Sequence, residues 1–476
     1  MFEHKFKDLH HTYRAIREVE SEHHNIANII KYVHKNNRVR QPSVGSHIRL
    51  RKKWEVEKST LHARLSWDLE RMQVWQLEHL SKLVDFAYNY VPFYHALYHE
   101  AGFRTGDIVT WSDFEKLPIV DKKMLVDNRS ALCASIGFAP DNHHVARTSG
   151  SSGINFTIVQ DDTSVDTRVV LNLRQTEMMV GHALSPDDWR YGIYLASERF
   201  TSLAGGYPVI TVGQDCPAVD VFEHIQKIKP KILYAFPSYL KRLQVCAGDL
   251  TEWGVECICT NSEPSTQEER QVFARHFGVP VLDEYSSEEF SLIATECRYG
   301  RYHIVEDNLK AEVCNIDPEG WGTLVGTSFA NTYMPFIRYS QGDIVKLDAR
   351  QILCECGTNF RYLDTFHGRA DQFLESKNNG KIPPDKLMGL YDSTLILETS
   401  GVKEFQIVQT HLDKIEIRIV LMDKEGAYNY ALMSNFVSGI KQLFSGDPLT
   451  VSVHVLESIP AAKSYKRRLI VNMINS

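Results

Sequence analysis

The chain has 476 residues, too many for one ordinary hydrophobic core, so two or three domains are expected. Hydrophobic residues make up 43% and charged residues 24%, which excludes wholesale disorder. Lys plus Arg total 53 and Asp plus Glu total 60, a formal charge of −7 that argues against a protein gripping nucleic acid along its length.

The first residues, MFEHKFKDLHHTYRAIREVESEHH, are charged from the third position and lack an apolar signal core. Residues 320–337 form the longest uncharged run, but Gly, Thr, Ser, Asn and Pro interrupt it, and a spanning helix needs about 20 mostly apolar residues. A cytoplasmic protein with no membrane partner is therefore expected. Nine Cys in so long a chain point to core thiols or a metal site rather than a disulfide framework. His4, His10, His11, His23 and His24 are too irregular for a site and read as a solvated helical face.

Residues 1–66 read as a helical or irregular N-terminal extension, basic and weakly patterned over 35–66. From Trp67 to Tyr90, Leu69, Met72, Leu77, Leu80, Leu83, Val84 and Ala87 recur at three-and-four spacing and predict a helix. It should stop at Val91-Pro92, because the residue before proline is pushed out of the helical region. Between residues 145 and 345, short apolar runs alternate with helical stretches. Residues 232–236 and 279–282 read as strands, and residues 221–228 and 267–277 as helices. Pro208 counts against a strand over residues 207–212. Beyond residue 368, strands at 405–409 and 414–421, a helix at 428–444 and a strand at 450–456 suggest a small α+β domain.

The expected fold class is therefore α/β. A large multi-layered α/β domain (residues 67–368) carries the helical N-terminal extension, and a small α+β domain (residues 369–476) follows it.

The sharpest motif is Arg147-Thr148-Ser149-Gly150-Ser151-Ser152-Gly153. Two glycines three apart permit a tight turn whose N–H groups converge on an anion, and four hydroxyls add donors. A flexible Ser/Gly loop is the competing reading. Downstream come Leu282-Asp283-Glu284-Tyr285-Ser286-Ser287-Glu288-Glu289, then Ile337-Arg338-Tyr339-Ser340-Gln341-Gly342-Asp343. Phe366-His367-Gly368-Arg369-Ala370-Asp371 and Ile459-Pro460-Ala461-Ala462-Lys463-Ser464-Tyr465-Lys466 complete the series.

This ordered set resembles the adenylate-forming superfamily of acyl-CoA synthetases, adenylation domains and luciferases. Within it, the chain resembles the phenylacetate–CoA ligase branch, near its capsule-biosynthesis-associated members. Further support lies in Val91-Pro92-Phe93-Tyr94, Phe236-Pro237-Ser238-Tyr239-Leu240, Glu263-Pro264 and Glu296-Cys297.

The resemblance implies ATP-dependent adenylation of a carboxylic acid, with release of pyrophosphate and transfer of the acyl group to a thiol (coenzyme A or a carrier) or an amine. It implies that Thr148, Ser149, Gly150, Ser151, Ser152 and Gly153 hold the β- and γ-phosphates, and that Glu289 holds Mg²⁺. Glu288 stands where the family has a hydroxyl, so the two glutamates could exchange roles. Tyr285 would pack on adenine near Ser262, Glu263, Pro264 and Ser286, and Asp343 would accept from both ribose hydroxyls. Arg369 would assist at ribose or phosphate, Asp371 would mark a hinge, and the small domain would swing Lys466 onto the α-phosphate.

The chain departs from the branch twice. Ile154-Asn155 follow Gly153 in place of Lys-Pro, and Tyr465 replaces the glycine before the lysine. A catalytically degenerate scaffold is the alternative these departures suggest.

Cys297-x5-His303 and Cys354-x-Cys356 are a soft, tetrahedral ligand set for structural Zn²⁺, with four unrelated core residues as the competing reading. By resemblance the acid pocket is walled by residues 189–208 and 234–238. Tyr191, Tyr194, Phe200 and Phe236 there suggest an apolar or aromatic acid, or else are core. No nucleic-acid partner is expected, and a homodimer is left open.

Overall fold

The computed structural model describes residues 24–36, 43–136, 144–147, 156–194, 199–347, 353–369, 372–395, 400–423, 426–459 and 468–474. Helix α1 (Ile48–Arg64) has only three buried residues, Leu50, Trp54 and Leu61, amid charges that pair along it, Arg51 with Glu55 and Lys53 with Glu57. Those charges hide its apolar stripe from a periodicity reading. The stripe packs on a later helix, and the strand before it, Ser43–Ser46, runs parallel to Arg199–Leu203. Residues 43–64 are thus woven into the large unit.

Helix α2 (Leu69–Tyr90) begins where the Asp68 carboxylate accepts from the N–H of Arg71. Of the expected stripe Met72, Leu80, Leu83, Val84 and Ala87 are buried and Leu69 and Leu77 half-buried; Tyr88 and Gln76 join it, and Gln76 Nε2 donates to the Glu306 carbonyl at 2.7 Å. It ends at the Val91-Pro92 boundary, and Pro92 at once opens a second helix, Pro92–Glu100, where its missing N–H costs nothing. Helix α3 (Asp162–Val180) is capped by Asp161 and closed by Gly181 at φ 87°.

Strands β1 (Arg190–Tyr194), β2 (Gly206–Gly213), β3 (Ile232–Ala235), β4 (Cys257–Thr260) and β5 (Val281–Ser287) form a parallel array in the order β2-β1-β3-β4-β5. Pro208 lies inside β2 after all. Its neighbour Arg199–Leu203 shifts register between Thr201 and Leu203, and the parallel pairing to β1 starts only at Val209. The proline therefore falls at an irregularity, where its missing donor is tolerated. Helices α4 (Ala218–Ile228), α5 (Pro237–Leu243) and α6 (Gln267–Phe277) fill the crossovers.

Past β5 the sheet turns antiparallel. Strands β6 (Ser291–Glu296), β7 (Tyr302–Ile304), β8 (Leu309–Cys314), β9 (Gly322–Ser328), β10 (Tyr339–Leu347) and β11 (Tyr362–Arg369) extend it in the order β5-β6-β7-β11-β10-β9-β8, giving 14 strands among the described residues. Strand β5 is the pivot, parallel to β4 on one side and antiparallel to β6 on the other.

A separate apolar cluster draws only on residues 374–470. Helices α7 (Pro384–Thr394) and α8 (Tyr430–Leu443) cover a sheet of β12 (Val402–His411), β13 (Lys414–Leu421), β14 (Thr450–Val455) and β15 (Ile470–Asn472), in the order β14-β13-β12-β15. No helix among the described residues is long and apolar enough to cross a membrane.

Candidate active site and metal centre

The candidate site draws on the turn after β4, the end of β5 and the middle of β10. After β4, Ser262 takes a left-handed backbone, φ 64°, and the N–H of Glu263 folds back onto the Asn261 carbonyl at 2.7 Å. The Glu263 carboxylate accepts from the N–H and hydroxyl of Ser238, both at 3.0 Å, so it caps α5 and ties two neighbouring loops together.

Tyr285 near the end of β5 donates its hydroxyl to Oδ2 of Asp343 on β10. Gln341 Nε2 donates to the same oxygen at 2.7 Å and to the Tyr285 hydroxyl at 3.2 Å. Both donors address Oδ2, which fixes the plane of the carboxylate. Gln341, two residues before Asp343, was missed in the sequence: Gly342 between them takes φ 89° and the strand bulges here, so simple alternation does not link the two. Strand pairing sets Asp343 directly opposite Arg369. The Arg369 side chain lies outside the described residues.

A second network braces this corner. Arg270 of α6 grips Glu296 (Nε to Oε2 and Nη2 to Oε1, both 2.9 Å), and Glu296 in turn accepts the Asp283 N–H at 3.0 Å. The Asp283 carboxylate takes hydroxyl bonds from Thr260 at 2.5 Å and Tyr302 at 2.9 Å. Burial pushes the carboxyls of both Asp283 and Glu296 upward, against the pull of Arg270. The network anchors β5 through residues that sequence spacing does not connect.

Glu289, in the turn between β5 and β6, is buried, with Oε1 3.4 Å from the Tyr339 hydroxyl, whereas Glu288 is exposed. Ser286 is exposed beside them. Thr148, Ser149, Gly150, Ser151, Ser152, Gly153, Asp371, Tyr465 and Lys466 all lie outside the described residues.

Cys297, His303, Cys354 and Cys356 converge, with donor atoms all within 4.8 Å of one another. Cys297 Sγ is 3.7 Å from Cys354 Sγ, and Cys356 Sγ is 3.4 Å from His303 Nε2. Nδ1 of His303 lies 2.8 Å from the Phe360 carbonyl. Only a protonated Nδ1 bonds there, so the lone pair of Nε2 is turned toward the sulfurs. Hydrogen bonding from Cys356 pulls the Cys297 thiol well down toward thiolate. Three sulfurs and one imidazole, gathered from β6, β7 and the loop before β11, fit a closed tetrahedral zinc site. Cys257 and Cys259, by contrast, are buried in the apolar core of β4.

Between the two units lies a cleft of about 560 Å³, lined among others by Ser238, Lys241, Glu263, Tyr391, Lys403 and Arg468. Thr266 of the large unit donates to Asp392 of α7 across this boundary at 2.7 Å.

This fold, a parallel array that turns antiparallel at β5 with a small α+β unit beyond it, is shared with an acyl-CoA ligase of known structure. Over 87% of the chain and 92% of its counterpart, it matches the structure of 2-hydroxyisobutyryl-CoA ligase in the post-adenylation state with R3-HIB-AMP, at a TM-score of 0.67 and 19% identity. The same ligase with 2-HIB-AMP and CoA in its thioesterification state gives 0.55 at 20% identity, over 86% of this chain and 91% of that one. In sequence the chain is a homologue of phenylacetate–coenzyme A ligases. It is 26% identical to that of Thermus thermophilus over 377 residues, 74% of this chain and 81% of the relative. It is 25% identical to that of Pseudomonas putida over 395 residues, 77% and 84% of the two. No protein-family model matches the chain.

Proposed function

We propose that the protein is an ATP-dependent acid–thiol ligase. A carboxylate oxygen of the acid attacks the α-phosphorus of ATP and pyrophosphate leaves. The sulfur of coenzyme A then attacks the acyl carbon, AMP leaves, and the thiol proton passes to solvent. The observation that carries this reading is the Tyr285–Asp343–Gln341 cluster between β5 and β10, in a chain related over 74% of its length to phenylacetate–coenzyme A ligases.

Asp343, held in plane by its two donors, accepts from the ribose hydroxyls, while Tyr285 and the turn of Ser262, Glu263 and Pro264 bound the adenine. Arg369, opposite Asp343 in the ladder, serves the ribose or phosphate edge. Residues 148–153 enclose the terminal phosphates. The buried carboxylate of Glu289 is an oxygen donor suited to a hard cation, and Mg²⁺ bound there offsets charge on the phosphates. Lys466 supplies the cation between the attacking carboxylate and the α-phosphate, carried by residues 369–476 as a mobile unit. The thiol approaches through the inter-unit cleft, where Lys241, Lys403 and Arg468 suit the phosphates of coenzyme A. Cys297, His303, Cys354 and Cys356 hold a structural zinc that pins the antiparallel half of the sheet.

Acid-dependent ATP–pyrophosphate exchange tests the reading. Exchange with at least one member of a broad acid panel, abolished by Lys466→Ala, is expected. Exchange with none of them would overturn the proposal.

A further inference from the structure

The face of the parallel array that meets α3 is polar near its carboxyl edge. Register aligns Gly192 of β1 with Tyr234 of β3, Tyr234 with Cys259 of β4, and Cys259 with Leu282 of β5. Side chains two residues further along a strand stay on the same face. Tyr194 and Glu284 therefore emerge from this face one step nearer the carboxyl ends.

Gly192 makes room for this arrangement. A Cβ there would lie 2.5 Å from Cε2 of Tyr194, so the tyrosine ring folds back across the glycine. From α3, Thr176 meets the Tyr234 hydroxyl at 2.5 Å. Tyr194, Tyr234 and Glu284 each keep part of their surface accessible, as walls of a crevice do. The aromatic residues that the sequence offered as an apolar pocket divide differently. Tyr191, Phe200 and Phe236 are sealed in the core, and only Tyr194 faces this crevice.

Glu284 is the unusual member. Burial pushes its carboxyl up to about 7, with Ser286 donating to it and Asp283 adding to the rise. No cation among the described residues contributes to it. Arg190, one row back on the same face, donates instead to the Tyr207 carbonyl at 3.0 Å. An apolar acyl chain entering here would strip the remaining water from Glu284 and return nothing. A hydroxyl or ammonium group would satisfy it. Glu284 and Tyr285 leave β5 on opposite faces near the same carboxyl edge of the sheet.

Building on the ligase reading above, we propose that the acid substrate carries a hydrogen-bond donor, a hydroxyl or an amine, on its acyl chain, and that Glu284 receives this donor in the crevice lined by Tyr194 and Tyr234.

The test uses two sets of matched acids with the full chain. One is butyrate with its 3-hydroxy, 4-hydroxy and 4-amino derivatives; the other is phenylacetate with its 4-hydroxy and 4-amino derivatives. Pyrophosphate release gives kcat/KM, and calorimetry gives acid binding independently of turnover. In at least one set, a donor-bearing acid should exceed its parent by about tenfold or more, the scale of one buried hydrogen bond left unmade. The preferred derivative identifies hydroxyl or amine. Glu284→Leu should bring that ratio to about one, while Glu284→Gln, which keeps an acceptor and the shape, should retain part of it. A wild type that prefers the unsubstituted parents, or a ratio unmoved by Glu284→Leu, overturns the inference. If no acid releases pyrophosphate but donor-bearing acids still bind with a Glu284-dependent preference, the ligase reading fails and the inference stands. Absence of both turnover and preference in binding overturns the inference as well.

Discussion

Replacing Asp343 by Asn tests the nucleotide corner most directly. The carboxylate accepts from Tyr285 and Gln341 through a single oxygen, Oδ2, so its plane is set before any nucleotide arrives. The amide keeps this shape and loses the charge. A hydrogen bond to a charged group contributes roughly 1.5–3 kcal/mol, and a neutral one about half that. The substitution should therefore cost about 1.5 kcal/mol at the ribose, or about tenfold in kcat/KM for ATP. The cycle with 2′-deoxy-ATP isolates the contact. Removing the 2′-hydroxyl should penalise the wild type by about tenfold and Asp343→Asn much less, a coupling of about 1 kcal/mol. Equal deoxy penalties in the two proteins would refute the assignment of Asp343 to the ribose, even if the variant were slow.

Purified protein should carry about one zinc per chain, and Cys354→Ser should lose the metal and unfold at lower denaturant; metal-free wild type of undiminished stability would contradict the cluster's role. Arg174 and Asp307 form a fully buried bidentate pair, with Nη1–Oδ2 at 2.6 Å and Nη2–Oδ1 at 2.9 Å. Arg174→Met alone should destabilise the large unit by about 3–5 kcal/mol, whereas adding Asp307→Leu should recover most of it, as read from denaturant midpoints. Asp392, at the contact with Thr266, is pushed up to about 7 by burial and by neighbouring Glu268 and Glu269. The docked unit then binds a proton that a free carboxyl releases near pH 4, so docking weakens as pH rises from about 4 to 7. Small-angle scattering should show expansion between pH 5.5 and 8 in wild type and a smaller change in Asp392→Asn.

Helices with one clean apolar stripe were legible from spacing alone. Residues 267–277 form the expected helix with the same bounds, and the Val91-Pro92 stop holds because proline acts on its immediate neighbour. The grouping of Cys297, His303, Cys354 and Cys356 was legible too, because sulfur and imidazole side chains are scarce enough that type and count narrow the choice. Residues 43–64 were harder: with three buried positions in α1, the signal is overwhelmed by charges that face solvent.

Sequence alone determined which chemical groups the chain owns and, within an element, which of them share a face. Local sterics and periodicity act over a few residues, so their record is written locally. The tertiary structure decided which groups meet. It turned Tyr285 onto Asp343, committed Glu263 to the start of α5, and set Glu284 beside Tyr194 and Tyr234, about ninety and about fifty residues earlier in the chain. Those outcomes depend on strand order and register, which are fixed by the packing of the whole sheet and leave no trace in the spacing of any one segment.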